Sequence, residues 1–352
     1  MSLMLAEIRQ QPDVLERTLR LELRGVEKLK KKLAKQRPRY IVLAARGTSD
    51  NAAQFGRYLL EISTGIPVSL AAPSIFTLYG ASVDFRDALV VAISQSGEST
   101  DTNLVLERAR EQGALTVGIT NEGSSSLARM ADHTFLVRAG REKSVAATKT
   151  YTGQMMMLYL LAYALGASIR LDDLRRIPGW AGDALQLEKE IGTLAGRYRF
   201  MDHTVVVGRG LNYSNAFEFG LKLMETCYVV AERFSSADFL HGPIAIVGQS
   251  FPVFLFAPGG VTWPSMRPML DKLHQAGAET LVLTDRSNPD ARALGRHICV
   301  PARLSSKGPL PEEVFTPIPY IIPAQMFAAA LAHEKGLNPD QPRMLSKVTR
   351  TL

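Results

Sequence analysis

Hydroxyl side chains crowd one short stretch of the chain. Leu89 to Thr102 reads LVVAISQSGESTDT, a β-branched run, a polar turn and the start of a helix-compatible segment. The N-terminal end of a helix presents unpaired N–H groups and the positive end of the helix dipole, so such a turn holds an anion without a metal. Ser94, Ser96, Ser99 and Thr100 add hydroxyl donors, and no lysine follows Gly97 as it would in a nucleotide-binding loop. A sugar phosphate suits the turn better than a nucleotide; the plainer alternative is an ordinary Ser/Thr cap of the next helix. A second group is Glu218, Lys222 and Glu225, spaced four and three apart and therefore on one helix face. Two carboxylates around one cation can move a proton, or they form an exposed ion-pair ladder. His241, ahead of Gly242-Pro243, can take and return a proton near neutral pH, or simply occupy a turn. Lys347 lies near the C-terminus, and an ordinary lysine is neutral only about once in 2,500 at pH 7, so nucleophilic use would require burial or a nearby cation.

These residues need a scaffold, and the chain writes one twice. Ile41 to Glu61 (IVLAARGTSDNAAQFGRYLLE) parallels Val205 to Glu225 (VVVGRGLNYSNAFEFGLKLME) with one inserted residue, and Gly113 to Asn121 (GALTVGITN) parallels Gly277 to Asp285 (GAETLVLTD). Each second match leads to a further helix and a last strand, at Ala131 to Val137 and Gly295 to Val300. The expected fold is α/β, two tandem doubly wound, mainly parallel sheets with an N-terminal helical segment and an extended C-terminal tail. Only the first copy carries the hydroxyl-rich turn; the second has Ala257-Pro258-Gly259-Gly260 in its place. The expected divisions are a helical segment over 4–37, a first domain with the phosphate turn over 38–168, a helical linker over 169–198, a second domain over 199–334 and a tail over 335–352. Within them, the spacing predicts a turn over Arg46 to Asn51 and a helix from Ala52 to Ile62, a break at Pro178-Gly179, and a proline-rich connection from Pro301 to Pro323 before a helix from Ala324 to Glu334. Pro339 and Pro342 stiffen the tail that carries Lys347.

Composition is that of a globular chain, 46% hydrophobic and 21% charged, which excludes a disordered or fibrous class. The net charge of +7 suits anionic ligands. The run Lys28 to Leu33 has leucines at helical spacing with Val26, so it reads as a solvated helix face and no nucleic-acid partner is expected. The stretch MMMLYLLAYALGA from Met155 is shorter than the roughly 20 residues a membrane span requires, and no membrane partner is expected. Two cysteines, Cys227 and Cys299, signal neither a disulfide framework nor a metal site, and the N-terminus lacks a signal-peptide pattern; a cytoplasmic location is expected.

SQSGES, taken with ARGTS, HGP and QPRxLxK in this order, resembles the sugar isomerase (SIS) domain family over essentially the whole chain. The pattern is similar to the isomerase half of glutamine:fructose-6-phosphate transaminases without a glutaminase domain, and ARGTSDNAA with FSSADFLHGP resembles the stand-alone SIS-type glucosamine-6-phosphate deaminases. The resemblance implies that Ser94, Gln95, Ser96 and Ser99 hold the phosphate, with Thr48 and Ser49 on a facing turn near the sugar. It also implies sugar contacts from the segment Val145 to Lys149, where VAATK stands for VASTK and Ala147 lacks a hydroxyl. Met224 replaces a lysine of the family's KLKE pattern.

Interconverting an aldose amine and a ketose moves a proton between C1 and C2 of an open-chain sugar. Glu225 is the expected base, with Lys222 and Glu218 beside it; His241 is the expected ring-opening group, and Lys347 contacts, or forms a Schiff base with, the open-chain ketose. In the resembling family the histidine reaches a neighbouring subunit's site, which implies a homodimer. The expected reaction converts glucosamine 6-phosphate to fructose 6-phosphate and ammonia, with neither cofactor nor metal. The alternatives are an ammonia- or partner-dependent glucosamine-6-phosphate synthase, an isomerase or deaminase of another phosphosugar, and a non-catalytic phosphosugar sensor.

Overall fold

A computed structural model describes residues 2–301 and 308–347. The chain divides into two compact units, one of Asp13–Glu142, Lys149–Arg175 and Leu345–Leu352, the other of Met1–Pro12, Lys143–Thr148 and Arg176–Met344. Each holds one five-stranded sheet in which every pairing is parallel.

The first unit's strands are β1 (Tyr40–Ala44), β2 (Val68–Leu70), β3 (Ala88–Ser94), β4 (Leu115–Thr120) and β5 (His133–Leu136), in the spatial order β2-β1-β3-β4-β5. In the second unit β6 (His203–Gly208), β7 (Val230–Ser235), β8 (Pro252–Phe256), β9 (Glu279–Asp285) and β10 (Arg296–Val300) are ordered β7-β6-β8-β9-β10. The order is the same in both, the doubly wound 2-1-3-4-5 arrangement, with its switch point between the first and third strands of each copy. The repeat read from the sequence is a repeat of topology. β3 is buried at all seven positions, as a central strand covered on both faces must be, and so reads as a continuous apolar run. The edge strands β2 and β7 carry no such run, and the sequence reading did not place them.

Three details differ from the sequence expectation. The helix after β1 spans Thr48–Thr64, so Thr48 and Ser49 lie in its first turn and not in a loop before it. First-turn amides have no intrahelical partner, so polar residues there cost nothing. Pro178 and Gly179 break no helix; they sit in the first turn of the helix Ile177–Leu185, where the missing proline N–H would be unpaired anyway. Likewise the last long helix is Pro317–Glu334, not Ala324 to Glu334, because Pro317 and Pro319 fall in its first turn. Pro323, inside it, leaves the Pro319 carbonyl without its helical donor.

The N-terminal region is a bent pair of helices, Leu3–Ile8 and Gln11–Lys35. Val26, Leu29 and Leu33 are buried while Lys28, Lys31 and Lys32 are exposed, the amphipathic division their spacing requires. The Met155 stretch lies in the buried helix Lys149–Ala164. Among the described residues, no helix is long and apolar enough to cross a membrane.

Candidate active site

The phosphate turn closes on itself before any ligand arrives. The Gly97 N–H donates to Ser94 Oγ at 3.1 Å, and the Glu98 N–H to Ser96 Oγ at 3.3 Å. Asn103 Nδ2 donates to the Gly97 carbonyl at 3.1 Å, and Ser99 and Thr102 share a hydroxyl hydrogen bond of 3.1 Å. Gly97 is required twice over: its φ is +67°, and an added Cβ would stand 2.1 Å from Ser125 Oγ. Ser99 is the N-cap of the helix Thr100–Glu111 but makes no side-chain cap bond, so the first-turn amides still face outward. The turn thus offers an anion Ser96, Ser99 and backbone N–H groups at the positive end of a twelve-residue helix.

The facing turn is tied to this one. Arg46 donates through Nη2 and Nε to Asp101 Oδ2, at 2.7 and 3.1 Å, and Asp101 belongs to the first turn of the phosphate helix. Asp101 is buried while Arg46 is half exposed, so the pair fixes the strand-β1 turn against the helix start. Ser49 is buried and accepts from Gln154 Nε2 at 2.9 Å, which leaves its own O–H to donate; Thr48 beside it is half-buried.

Gln95 points elsewhere. Its Nε2 donates to Glu142 Oε2 at 2.8 Å, and the same oxygen accepts from Lys347 Nζ at 3.0 Å and from Thr150 Oγ1 at 2.7 Å. The Glu142 side chain is fully buried, and that of Lys347 is 26% exposed. The structure therefore brings the phosphate turn and the C-terminal lysine to one carboxylate in the same unit. Glu142 is the residue that sequence reasoning missed: in Arg141-Glu142-Lys143 it reads as ordinary surface charge, and only the fold shows it turned inward.

The second unit carries the other candidates. On the helix Tyr213–Cys227, Lys222 Nζ lies 2.5 Å from Glu225 Oε2 and 3.4 Å from Glu218 Oε1. The side chains of Lys222 and Glu218 are fully buried and that of Glu225 is 23% exposed, so the exposed-ladder alternative fails. Burial opposes the charge on Lys222, but Glu218 and Glu225 overcome it and hold its pKa above the ordinary lysine range. Lys222 is a fixed cation, and Glu225 is the carboxylate that solvent or substrate can reach. His241 is exposed and ends the short helix Ser236–Leu240, and its ring has no hydrogen-bond partner among the described residues. Gly242 follows at φ +153°, a turn that only glycine makes easily.

The tail is fastened in the same unit. Asp340 accepts the N–H groups of Leu3 and Met4, each at 2.7 Å, and its carbonyl accepts the Val145 N–H at 3.4 Å. Arg343 donates its N–H to Tyr228 Oη at 2.9 Å and lays its guanidinium 3.9 Å from that ring's centre, so it anchors the tail to the end of the Lys222 helix. Val145 and buried Ala147 lie in the segment Lys143–Thr148, which belongs to this unit. Thr48, Ser49, the phosphate turn and Lys347 belong to the first unit. Among the described residues no group of three or more His, Cys, Asp or Glu side chains could hold a metal.

Two repeated doubly wound sheets, one hydroxyl-rich turn at a helix start and one buried acid-lysine-acid helix define a class. The SIS domain model matches residues 32–164 and 201–331, and the chain belongs to the SIS domain family, with two copies of that domain. Within it, the chain is 36% identical over 361 residues to a glutamine–fructose-6-phosphate aminotransferase [isomerizing] of Pseudomonas putida, a match that covers 98% of this chain and 58% of that protein. The chain thus spans somewhat more than half the length of the curated relatives it matches. The C-terminal domain of glucosamine-fructose-6-phosphate aminotransferase from Francisella tularensis superimposes with a TM-score of 0.85 at 28% identity, covering 97% of this chain and 98% of that one. Glucosamine-6-phosphate deaminase from Thermotoga maritima shares the fold, with a TM-score of 0.77 at 20% identity, and the match covers 99% of this chain and all of that one.

Proposed function

We propose that the protein is an aldose-ketose isomerase of amino-sugar phosphates that acts as a deaminase, converting glucosamine 6-phosphate and water to fructose 6-phosphate and ammonia. The observation that carries this reading is the Glu218-Lys222-Glu225 group: a buried cation holds a reachable carboxylate in place, which is what a base for C–H proton transfer requires. His241 opens the sugar ring. Glu225 takes the proton from C2 of the open-chain aldose, giving an enolamine, and returns it at C1; water then adds at C2 of the resulting imine and ammonia leaves. Ser94, Gln95, Ser96 and Ser99 hold the phosphate, with Thr48, Ser49, Val145 and Ala147 along the sugar, and Lys347 contacts the open-chain oxygens. The exposed, unpartnered ring of His241 supports the reading that it serves the site of a second copy in a homodimer.

The test is to incubate the purified protein with glucosamine 6-phosphate and measure ammonia and fructose 6-phosphate together, beside a panel of other hexosamine phosphates. Equimolar release of both products is expected. Release of neither from any amino-sugar phosphate, with phosphosugar binding retained, would overturn the deaminase reading.

A further inference from the structure

We propose that Glu142 is a positioning residue that couples the phosphate turn to the C-terminal lysine, so that filling the turn and placing Lys347 are one event. The inference deepens the site just assigned and rests on the phosphate reading of Ser94 to Ser99, but not on the identity of the reaction.

A carboxylate has two oxygens and about four lone-pair sites. In Glu142, Oε1 accepts the Thr150 N–H at 3.2 Å, and Oε2 accepts from Thr150 Oγ1, Gln95 Nε2 and Lys347 Nζ at 2.7, 2.8 and 3.0 Å. Thr150 opens the buried helix Lys149–Ala164, so two of these bonds fix the carboxylate to a rigid element. The other two come from the side chains of Gln95 and Lys347. The Gln95 amide has one N–H on Glu142 and a second to offer a phosphate oxygen; the Lys347 ammonium has three protons and a side chain 26% exposed. Lys347 closes a stretch without helix or strand from Asn338 onward, and its ammonium donates to Glu142. Because Gln95 and Lys347 share one oxygen, an anion that reorients Gln95 changes the field and the space at Lys347. A site built this way orders Lys347 in response to the ligand's phosphate.

The experiment is pulse acetylation of Lys347, read by peptide mass spectrometry, in the wild-type protein and in Glu142→Gln and Gln95→Ala, with and without fructose 6-phosphate, alongside calorimetric affinity for the same ligand. In the wild type, ligand should change Lys347 labelling at least fivefold while exposed Lys28 and Lys31 serve as unchanged references. In Glu142→Gln, unliganded labelling of Lys347 should rise about tenfold, the ligand-dependent change should vanish, and affinity should fall about tenfold. Combining Gln95→Ala with Glu142→Gln should cost no more affinity than the weaker-binding single variant, the non-additivity of residues acting through one another. Unchanged Lys347 labelling in Glu142→Gln, or strictly additive losses, would overturn the proposal. Should Glu142→Gln fail to fold, Glu142→Asp keeps the charge and withdraws it by one methylene, and the same loss of ligand response is expected. Absence of ammonia release by the wild type bears on the deaminase reading alone, since labelling and calorimetry need no turnover.

Discussion

The two copies of the domain have the same strand order and have divided the work. In the first copy the turn after the third strand is open and lined by hydroxyls. In the second, the corresponding turn Ala257 to Gly260 leads into the helix Trp263–Gln275, and the place an anion would take is filled from within the chain. Glu313 accepts the Thr262 N–H at 3.1 Å and bonds the Thr262 hydroxyl, at the N-cap of that helix. Its carboxylate sits where a ligand phosphate would, and an added Cβ on Gly260 would meet it at 2.6 Å. The helix after the first strand has diverged in the opposite sense. Glu218, Lys222 and Glu225 of the second copy stand where Gln54, Tyr58 and Glu61 stand in the first, by the alignment that pairs Phe55-Gly56 with Phe219-Gly220. Glu61 is exposed, and its Oε1 accepts the Val68 N–H at 2.9 Å, a structural use of the residue whose counterpart in the other copy pairs with Lys222. One copy carries the open, hydroxyl-rich turn without a buried acid-lysine-acid helix; in the other the arrangement is reversed.

That division can be broken experimentally, most sharply at the paired glutamates. Glu225→Gln should lower kcat by about 10²–10⁴-fold with fructose 6-phosphate affinity held within a few fold, the range for loss of a positioned base. Glu61→Gln, the same change at the equivalent position, should leave kcat within about twofold and change stability by less than about 1 kcal/mol, since the amide oxygen still accepts from Val68. Equal catalytic losses from the two, measured by steady-state kinetics, would end the comparison. Next in size, Ser96→Ala should weaken sugar-phosphate binding by about 1.5–3 kcal/mol, the worth of a hydrogen bond to a charged group, with calorimetry as the check; an unchanged affinity would mean that the first copy's turn is not the anion site.

The smallest effect is at Glu313. Burial raises its pKa above the usual carboxylate range, with the bonds from Thr262 opposing. A raised folded-state pKa means that its favourable contribution is complete below the ordinary glutamate value and is lost as pH rises through the elevated one. Glu313→Gln keeps an acceptor for Thr262 without the charge. Denaturant unfolding should therefore show the variant gaining on the wild type as pH rises from about 4 to 7, by less than about 2 kcal/mol in total. A gap that moves the other way would mean that the helix end stabilises the ionised form.

Much of this was legible in the sequence, for stated reasons. The doubled βαβ pattern could be read because buried central strands are unbroken apolar runs, and the phosphate turn because its hydroxyls are consecutive. The one-face grouping of Glu218, Lys222 and Glu225 followed from helical spacing alone. Their burial did not, since an i, i+4 pair looks the same on an exposed face. Helix starts were misplaced at Thr48, Pro178 and Pro317 because polar residues and prolines break a helix in its interior but are harmless in its first turn. Glu142 and Glu313 had no signal at all: each is an acidic residue among charged or proline-rich neighbours, and each acquires its role from partners tens to hundreds of residues away.

The carboxylate of Glu313 has a consequence for how the halves respond to metabolite supply. A ligand that binds only the native state adds RT ln(1 + [L]/Kd) to stability, so an anion bound at the open turn would stabilise that domain in step with its own supply. The other domain carries the carboxyl group that fills its turn as part of the polypeptide, at an effective concentration that neither dilution nor turnover can change. The second copy's turn is therefore set by the polypeptide alone, whereas the first copy's turn answers to the concentration of whatever anion fills it.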